Sequence, residues 1–157
     1  MGITKDILDR IQAIERTIVY DSSAVSVAEY IPEDIQPFQL PLFVNVPRPL
    51  TRRQTADTMF LLSRTWDLEL WYRKEGDRGR AENEYMGYDL IDLTYAAFLT
   101  AQRLELSGVG LTGLDSATFT GDGGVSIEPY PRGSADNKSY YLVRFNLITT
   151  YRSDCLD

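Results

Sequence analysis

The segment Phe60-Leu61-Leu62-Ser63-Arg64-Thr65-Trp66-Asp67-Leu68-Glu69-Leu70-Trp71-Tyr72 decides the fold class. Phe60, Leu62, Trp66, Leu68, Leu70 and Tyr72 fall on one side, interrupted only by Arg64, and a period of two marks a strand with one buried face. A strand this long and this one-sided needs a covering layer. A second alternation, Tyr141, Val143, Phe145, Leu147, Thr149 and Tyr151, predicts another strand of the same kind.

The covering layer reads as helices. Ile3, Ile7, Leu8, Ile11 and Ile14 recur at helical spacing, with Thr4 available as a cap and Asp6 in the first turn, which predicts a short amphipathic helix over residues 4–15 lying against the sheet. Leu90, Ile91, Leu93, Ala97, Phe98, Ala101 and Leu104 make one apolar arc while Asp89, Asp92 and Arg103 face away, so a longer helix is expected there, stopped by Gly108, Gly110 and Gly113. Thr17 to Tyr20 reads as a short first strand ended by Asp21-Ser22-Ser23.

Pro32, Pro37, Pro41, Pro47 and Pro49 break any helix between residues 30 and 49, and Leu42 to Val46 between two of them reads as a strand at a sheet edge. Thr51 to Thr55 reads as a polar approach to the long strand, and Glu75 to Arg80 as a charged loop after it. Ala117 to Phe119 and Val125 to Glu128 read as strands, joined to the last one by a polar loop over Pro129 to Asn137. The order predicts one domain over residues 1–157, of α+β class, with a mostly antiparallel sheet covered by one long and one short amphipathic helix. There is no internal repeat and no low-complexity tail.

The chemistry available to this chain is narrow. Its 157 residues include no histidine and a lone Cys155, so an internal disulfide and a thiolate zinc cage are excluded. Ser63, Ser107 and Ser126 have no imidazole to activate them, and Lys5, Lys74 and Lys138 are the only lysines. Catalysis, cofactor and metal are therefore not expected. Hydrophobic residues at 43% and charged residues at 25% are ordinary for a globular chain, and no apolar run approaches the roughly 20 residues that span a bilayer. Lys5, Asp6, Asp9 and Arg10 interrupt the apolar residues at the start, unlike a secretory signal. A net charge of −7 argues against general nucleic-acid binding, which needs clustered cations, although an acidic wall suits a passage where DNA slides without sticking.

Several motifs have plain structural readings. Gly108-Val109-Gly110-Leu111-Thr112-Gly113 matches a dinucleotide fingerprint in letters, but a helix is expected before it and a strand after, the reverse of the order that aims a helix N-terminus at pyrophosphate. Gly121-Asp122-Gly123-Gly124 offers one carboxylate, too few for calcium, and reads as a hairpin turn. Asn137-Lys138-Ser139 fits a glycosylation acceptor that has no use without export. Glu82, Glu84, Asp89 and Asp92 spread over a helix flank as solvated charge rather than as an acid and base pair.

Trp66 falls on the core side of the long strand. Trp71 falls on the other side, with Leu61 at the far end and Ser63, Thr65, Asp67, Glu69 and Arg73 around them. Either a second helix, the N-terminal one, covers that side, or it is a contact between subunits with aromatic anchors in a polar surround. Arg48, Arg52 and Arg53 are either solvated charge or ion-pair donors to a neighbour's acidic flank.

Taken together, the N-terminal helix Ile3 to Ile14, the strand ending in Tyr20-Asp21, the proline-punctuated stretch leading to Leu40-Pro41-Leu42-Phe43-Val44, the strand around Trp66-Asp67-Leu68-Glu69-Leu70, the apolar helix and the closing strand pair resemble the tail terminator family of long-tailed bacteriophages, the tail completion or minor tail protein U-like proteins. The likeness is one of order and size over most of the chain. It implies a virion protein of the tail and neck, assembled in the host cytoplasm as a hexameric ring that ends polymerisation of the tail tube and gives the head completion protein its docking surface. Its partners would be other copies of itself, the tube protein and the neck protein, with DNA passing through without specific binding and no membrane involved.

On that implication the loops Thr51–Thr55, Glu75–Glu84 and Gly133–Ser139 are candidates for axial and lateral contacts. The candidate contact residues are Arg48, Arg52, Arg53, Leu61 and Trp71, joined by Asp77, Arg78, Arg80, Glu82 and Glu84. Two rivals stand beside this reading: a head completion or connector protein of the neck, and a small enzyme or ligand-binding domain using the carboxylates between Glu82 and Asp92.

Overall fold

The computed structural model describes residues 2–32, 40–56, 59–73, 80–99, 103–120, 125, 127–131 and 139–152, with backbone alone at 54–56, 59, 80–84, 128–131 and 139. In chain order the elements are α1 (Ile3–Glu15), β1 (Val19–Tyr20), β2 (Ser23–Ala24), β3 (Ser26–Val27), β4 (Leu42–Ala56), β5 (Met59–Arg73), α2 (Arg80–Leu99), β6 (Leu114–Phe119), β7 (Ile127–Pro131) and β8 (Ser139–Arg152). The class is α+β. The main sheet runs β3-β4-β5-β8-β6, and β7 pairs with β8 on the same side as β6. Only β3 and β4 are parallel; every other pairing is antiparallel.

The alternation at residues 60–72 becomes β5, and the alternation at 141–151 becomes β8, its direct neighbour, with Trp66 opposite Leu147. Sharing one period, the two strands put Leu62, Trp66, Leu68, Leu70 and Tyr72 beside Tyr141, Val143, Phe145, Leu147 and Tyr151 in a single core. The indole of Trp66 is fully buried, and its Nε1 donates to Thr149 Oγ1 at 3.0 Å. That hydroxyl in turn donates to the Arg64 carbonyl at 3.3 Å, so the one polar end of the indole is satisfied inside the core.

Both helices lie on this face. Ile3, Ile7, Ile11 and Ile14 of α1 join the same core, each fully buried isoleucine contributing about 1.5–3 kcal/mol. Gln12 anchors the helix at the β3 end by donating to the carbonyls of Ala28 (3.3 Å) and Glu29 (3.2 Å). The cap differs from expectation. Gly2 is the N-cap and no side chain bonds there, because the helix starts one residue earlier and takes Thr4 into its first turn. β1 and β2 form a tight hairpin whose corner residues Asp21 (φ 50°) and Ser22 (φ 65°) both sit in the left-handed region, as two-residue hairpin turns require.

α2 covers β8 and the β6/β7 edge. Tyr95 meets Phe119 (5.1 Å) and Phe145 (5.5 Å) edge to face, and Phe98 meets Phe119 at 5.6 Å. Its described end is Leu99, earlier than expected. Leu104 is buried but lies outside the helix at φ 50°, and residues 103–113 form an irregular excursion with a lone bridge between Leu106 and Val109. Arg10 of α1 holds this excursion by donating to the carbonyls of Leu104 (3.0 Å) and Val109 (2.6 Å). The glycines at 108–113 thus belong to that excursion, and strand β6 follows them.

Two expected loops are strands. Thr51–Thr55 lies inside β4, and Pro129–Pro131 ends β7. β4 runs on through Pro47 and Pro49 because its outer side, beyond the Leu42 and Phe43 pairs with β3, has no neighbouring strand among the described residues and so asks nothing of the missing N–H groups.

Candidate subunit interface

The β4 segment from Pro47 to Arg53 is exposed throughout. Arg48 pairs with Asp67 of β5, its Nε donating to Oδ2 at 2.6 Å; the Asp67 side chain is only 6% exposed, whereas that of Arg48 is 57% exposed. Arg64 braces the same point by donating to the Arg48 carbonyl at 3.1 Å. Arg52 stands over the Phe60 ring at 5.4 Å, a cation–π contact that keeps its charge at the surface. Arg53 faces the opposite way, in register with Leu61, which is half-buried between Arg53 and Arg152. Leu50, in the middle of these cations, is 40% exposed.

α2 has an outer side the sequence arc did not anticipate. Tyr85 (66% exposed), Tyr88 (51%), Leu93 (37%) and Leu99 (64%) follow helical spacing on the side away from Leu90, Ile91 and Phe98. Leu93 was expected in the buried arc and is instead on this outer stripe. Asp89 and Asp92 are exposed within it, as expected, and neither carries an ion pair among the described residues. Arg80, Glu82 and Glu84 are in the first turns of α2 with only their backbone described, and Asp77 and Arg78 lie outside the described residues, as do residues 133–138.

Trp71 is 8% exposed and packs with Leu42, Val44, Tyr140 and Leu142 in a second cluster on the far face of the sheet, with Ala28 and Leu40 against it. No part of this cluster comes from α1, which lies on the other face, so of the two coverings weighed for Trp71 the N-terminal helix is not one. Its indole surface is taken up by its own chain and is not presented as an anchor. Above that cluster the far face turns polar, with Arg144 donating to Glu69 at 3.2 Å and the Ser63 and Thr150 hydroxyls 3.2 Å apart.

Two other features merit a chemical test. Glu15 is fully buried on the apolar stripe of α1, accepting from Asn45 Nδ2 at 2.8 Å, and burial pushes its carboxyl up to about 8 while Asn45 and Arg16 pull weakly the other way. The spacing Ile7, Ile11, Glu15 was the available signal for this residue. Sealed from solvent, it offers no approach to a substrate. A groove of about 500 Å³ opens between the end of α2 and β6, lined by Tyr95, Phe98, Leu99, Arg103, Ala117 and Phe119 among others. Its one cation, Arg103, is held on the Leu114 carbonyl by two bonds of 3.2 and 3.1 Å. Among the described residues no three His, Cys, Asp or Glu side chains are grouped to hold a metal ion, and no helix is long and apolar enough to cross a membrane. No protein-family model matches the chain, and no curated protein matches it.

Proposed function

We propose that the protein is a structural virion subunit that assembles with copies of itself into a ring at the head-proximal end of a phage tail tube, where it ends tube growth and receives the neck. The observation that carries this reading is the pairing of unsatisfied surfaces on one rigid sheet: a cationic open strand edge at Arg48–Arg53 and an apolar, acid-bearing helix face on α2. A helix that is apolar on two sides is normally covered on both. Open edges and exposed tyrosines and leucines are what a chain keeps when its work is contact with other chains.

The acidic balance supports a channel wall that repels phosphate. Chemistry on a bound substrate has little support, since among the described residues the one strongly perturbed carboxyl, Glu15, is sealed in the core. The test is reconstitution. Purified protein added to polymerising tail tubes gives tubes of fixed length with a ring at one end in electron micrographs. Tubes that grow on unchanged, with no added density at their ends, would defeat the proposal.

A further inference from the structure

The two unsatisfied surfaces lie at opposite lateral edges of the sheet. β4 is the outer long strand on one side, whereas α2 sits over β8 and the β6/β7 edge on the other, as its contacts with Phe119 and Phe145 record. One copy therefore has no means of bringing its own α2 stripe to its own β4 edge. The surfaces are complementary in charge: Asp89 and Asp92 stand between exposed Tyr88 and Leu93 on α2, and on β4 Arg52 shares a face with exposed Leu50 while Arg53 stands on the other face of the same edge. On α2 the two acids lie between the apolar flanks Tyr88 and Leu93, and on β4 the arginines adjoin Leu50, so each surface joins apolar area to charge of one sign, and the charges select the partner.

The geometry points to a head-to-tail contact in which the outer stripe of α2 in one copy docks on the Leu50–Arg53 edge of β4 in the next. This assignment rests on the self-assembly reading above and names the surfaces that carry it. Two different patches meeting at opposite edges make a heterologous interface, which repeats from copy to copy and closes into a ring when the rotation per step allows. The charge pairing also fixes polarity: an edge-to-edge meeting would oppose arginine to arginine, and a helix-to-helix meeting aspartate to aspartate.

Two charge reversals test the contact, Asp89→Lys with Asp92→Lys on α2 and Arg52→Glu with Arg53→Glu on β4, all at exposed positions. Sedimentation velocity on wild-type protein is expected to show oligomers, and each reversed protein alone to associate roughly tenfold more weakly or worse. An equimolar mixture of the two regains assembly, because each reversed α2 then meets a reversed β4 and each native surface meets a native one. Replacing Tyr88 and Leu93 together by serine removes the apolar flanks and weakens association without touching charge; circular dichroism checks the fold of every variant.

Wild-type assembly that neither reversal alters, or mixing that restores nothing, overturns the assigned contact while leaving the ring proposal standing. Assembly that follows the charge pattern, combined with no effect on tail tubes, supports the contact and defeats the ring-on-tube function. Wild-type protein that stays monomeric at about 1 mM, with and without tubes, overturns both.

Discussion

Asn45 and Glu15 meet in the core between the end of α1 and the start of β4, Nδ2 donating to Oε2 at 2.8 Å with Glu15 fully buried. An acid whose folded pKa lies near 8 holds a proton that the unfolded chain, with the ordinary value near 4.5, has already released. The folded state thus binds more protons between those two values, and stability falls as pH rises through them. The contribution of this residue is fully present below about pH 4.5 and is lost progressively as pH rises towards about 8. Glu15→Gln removes that slope, so urea midpoints of the two proteins should diverge with rising pH, the variant becoming relatively more stable. Parallel midpoints from pH 5 to 8 would show that Glu15 ionises without cost.

Arg48 and Asp67 form a one-sided ion pair, the arginine reaching solvent and the aspartate almost closed off. Arg48→Ala strands the carboxylate and is expected to cost about 1–3 kcal/mol in chemical denaturation. Asp67→Asn leaves a neutral amide and should cost less. A double-mutant cycle then gives a coupling of about 1 kcal/mol or more, and a coupling indistinguishable from zero would reduce the pair to surface decoration.

Thr149→Val keeps the shape of the side chain and removes the acceptor for the Trp66 indole N–H. With Trp66 fully buried at the centre of the sheet, the orphaned donor is expected to cost about 1–3 kcal/mol. Trp66→Phe in the Thr149→Val background should lose less than the sum of the two single changes, measured by thermal unfolding.

Gly87 faces the β5 side inside α2. A Cβ there would lie 2.4 Å from the Tyr72 hydroxyl and 2.6 Å from Ile127 Cδ1. The isoleucine end can swing away, but the Tyr72 ring is stacked on Tyr141 at 5.1 Å and is fully buried. Gly87→Ala therefore destabilises by about 1–3 kcal/mol even though alanine favours helix by about 1 kcal/mol. A Gly87→Ala protein more stable than wild type would mean that the helix shifts freely on the sheet.

Much of the fold was legible because its two central strands carry a period of two, broken in the first only at Arg64, and side chains on a pleated strand have no choice but to alternate. β4 was the hard case. Its apolar pattern stops near Val46, and Pro47, Arg48, Pro49, Arg52 and Arg53 read as loop; only the fact that β4 forms the outer side of the sheet lets such residues stay in a strand. The contact surfaces were half visible. The arginines and aspartates announced themselves by charge, but Leu93 was assigned to the buried arc because a helix rich in apolar residues on both sides has no unique inward direction from spacing alone. The burial of Trp71 was hidden for a related reason: period two places it on the far face without saying that Leu42, Val44, Tyr140 and Leu142 pack beside it there.

The last strand in the chain is among the innermost in the sheet. Residues 139–152 insert between β5 and the β6/β7 edge, so a nascent chain that has reached residue 138 already holds α1, the β4–β5 hairpin and α2 but lacks the strand that joins β5 to β6 and β7. The sheet is completed only when those fourteen residues have been made, and until then the unpaired edge of β5 is open to wrong strands and to chaperones.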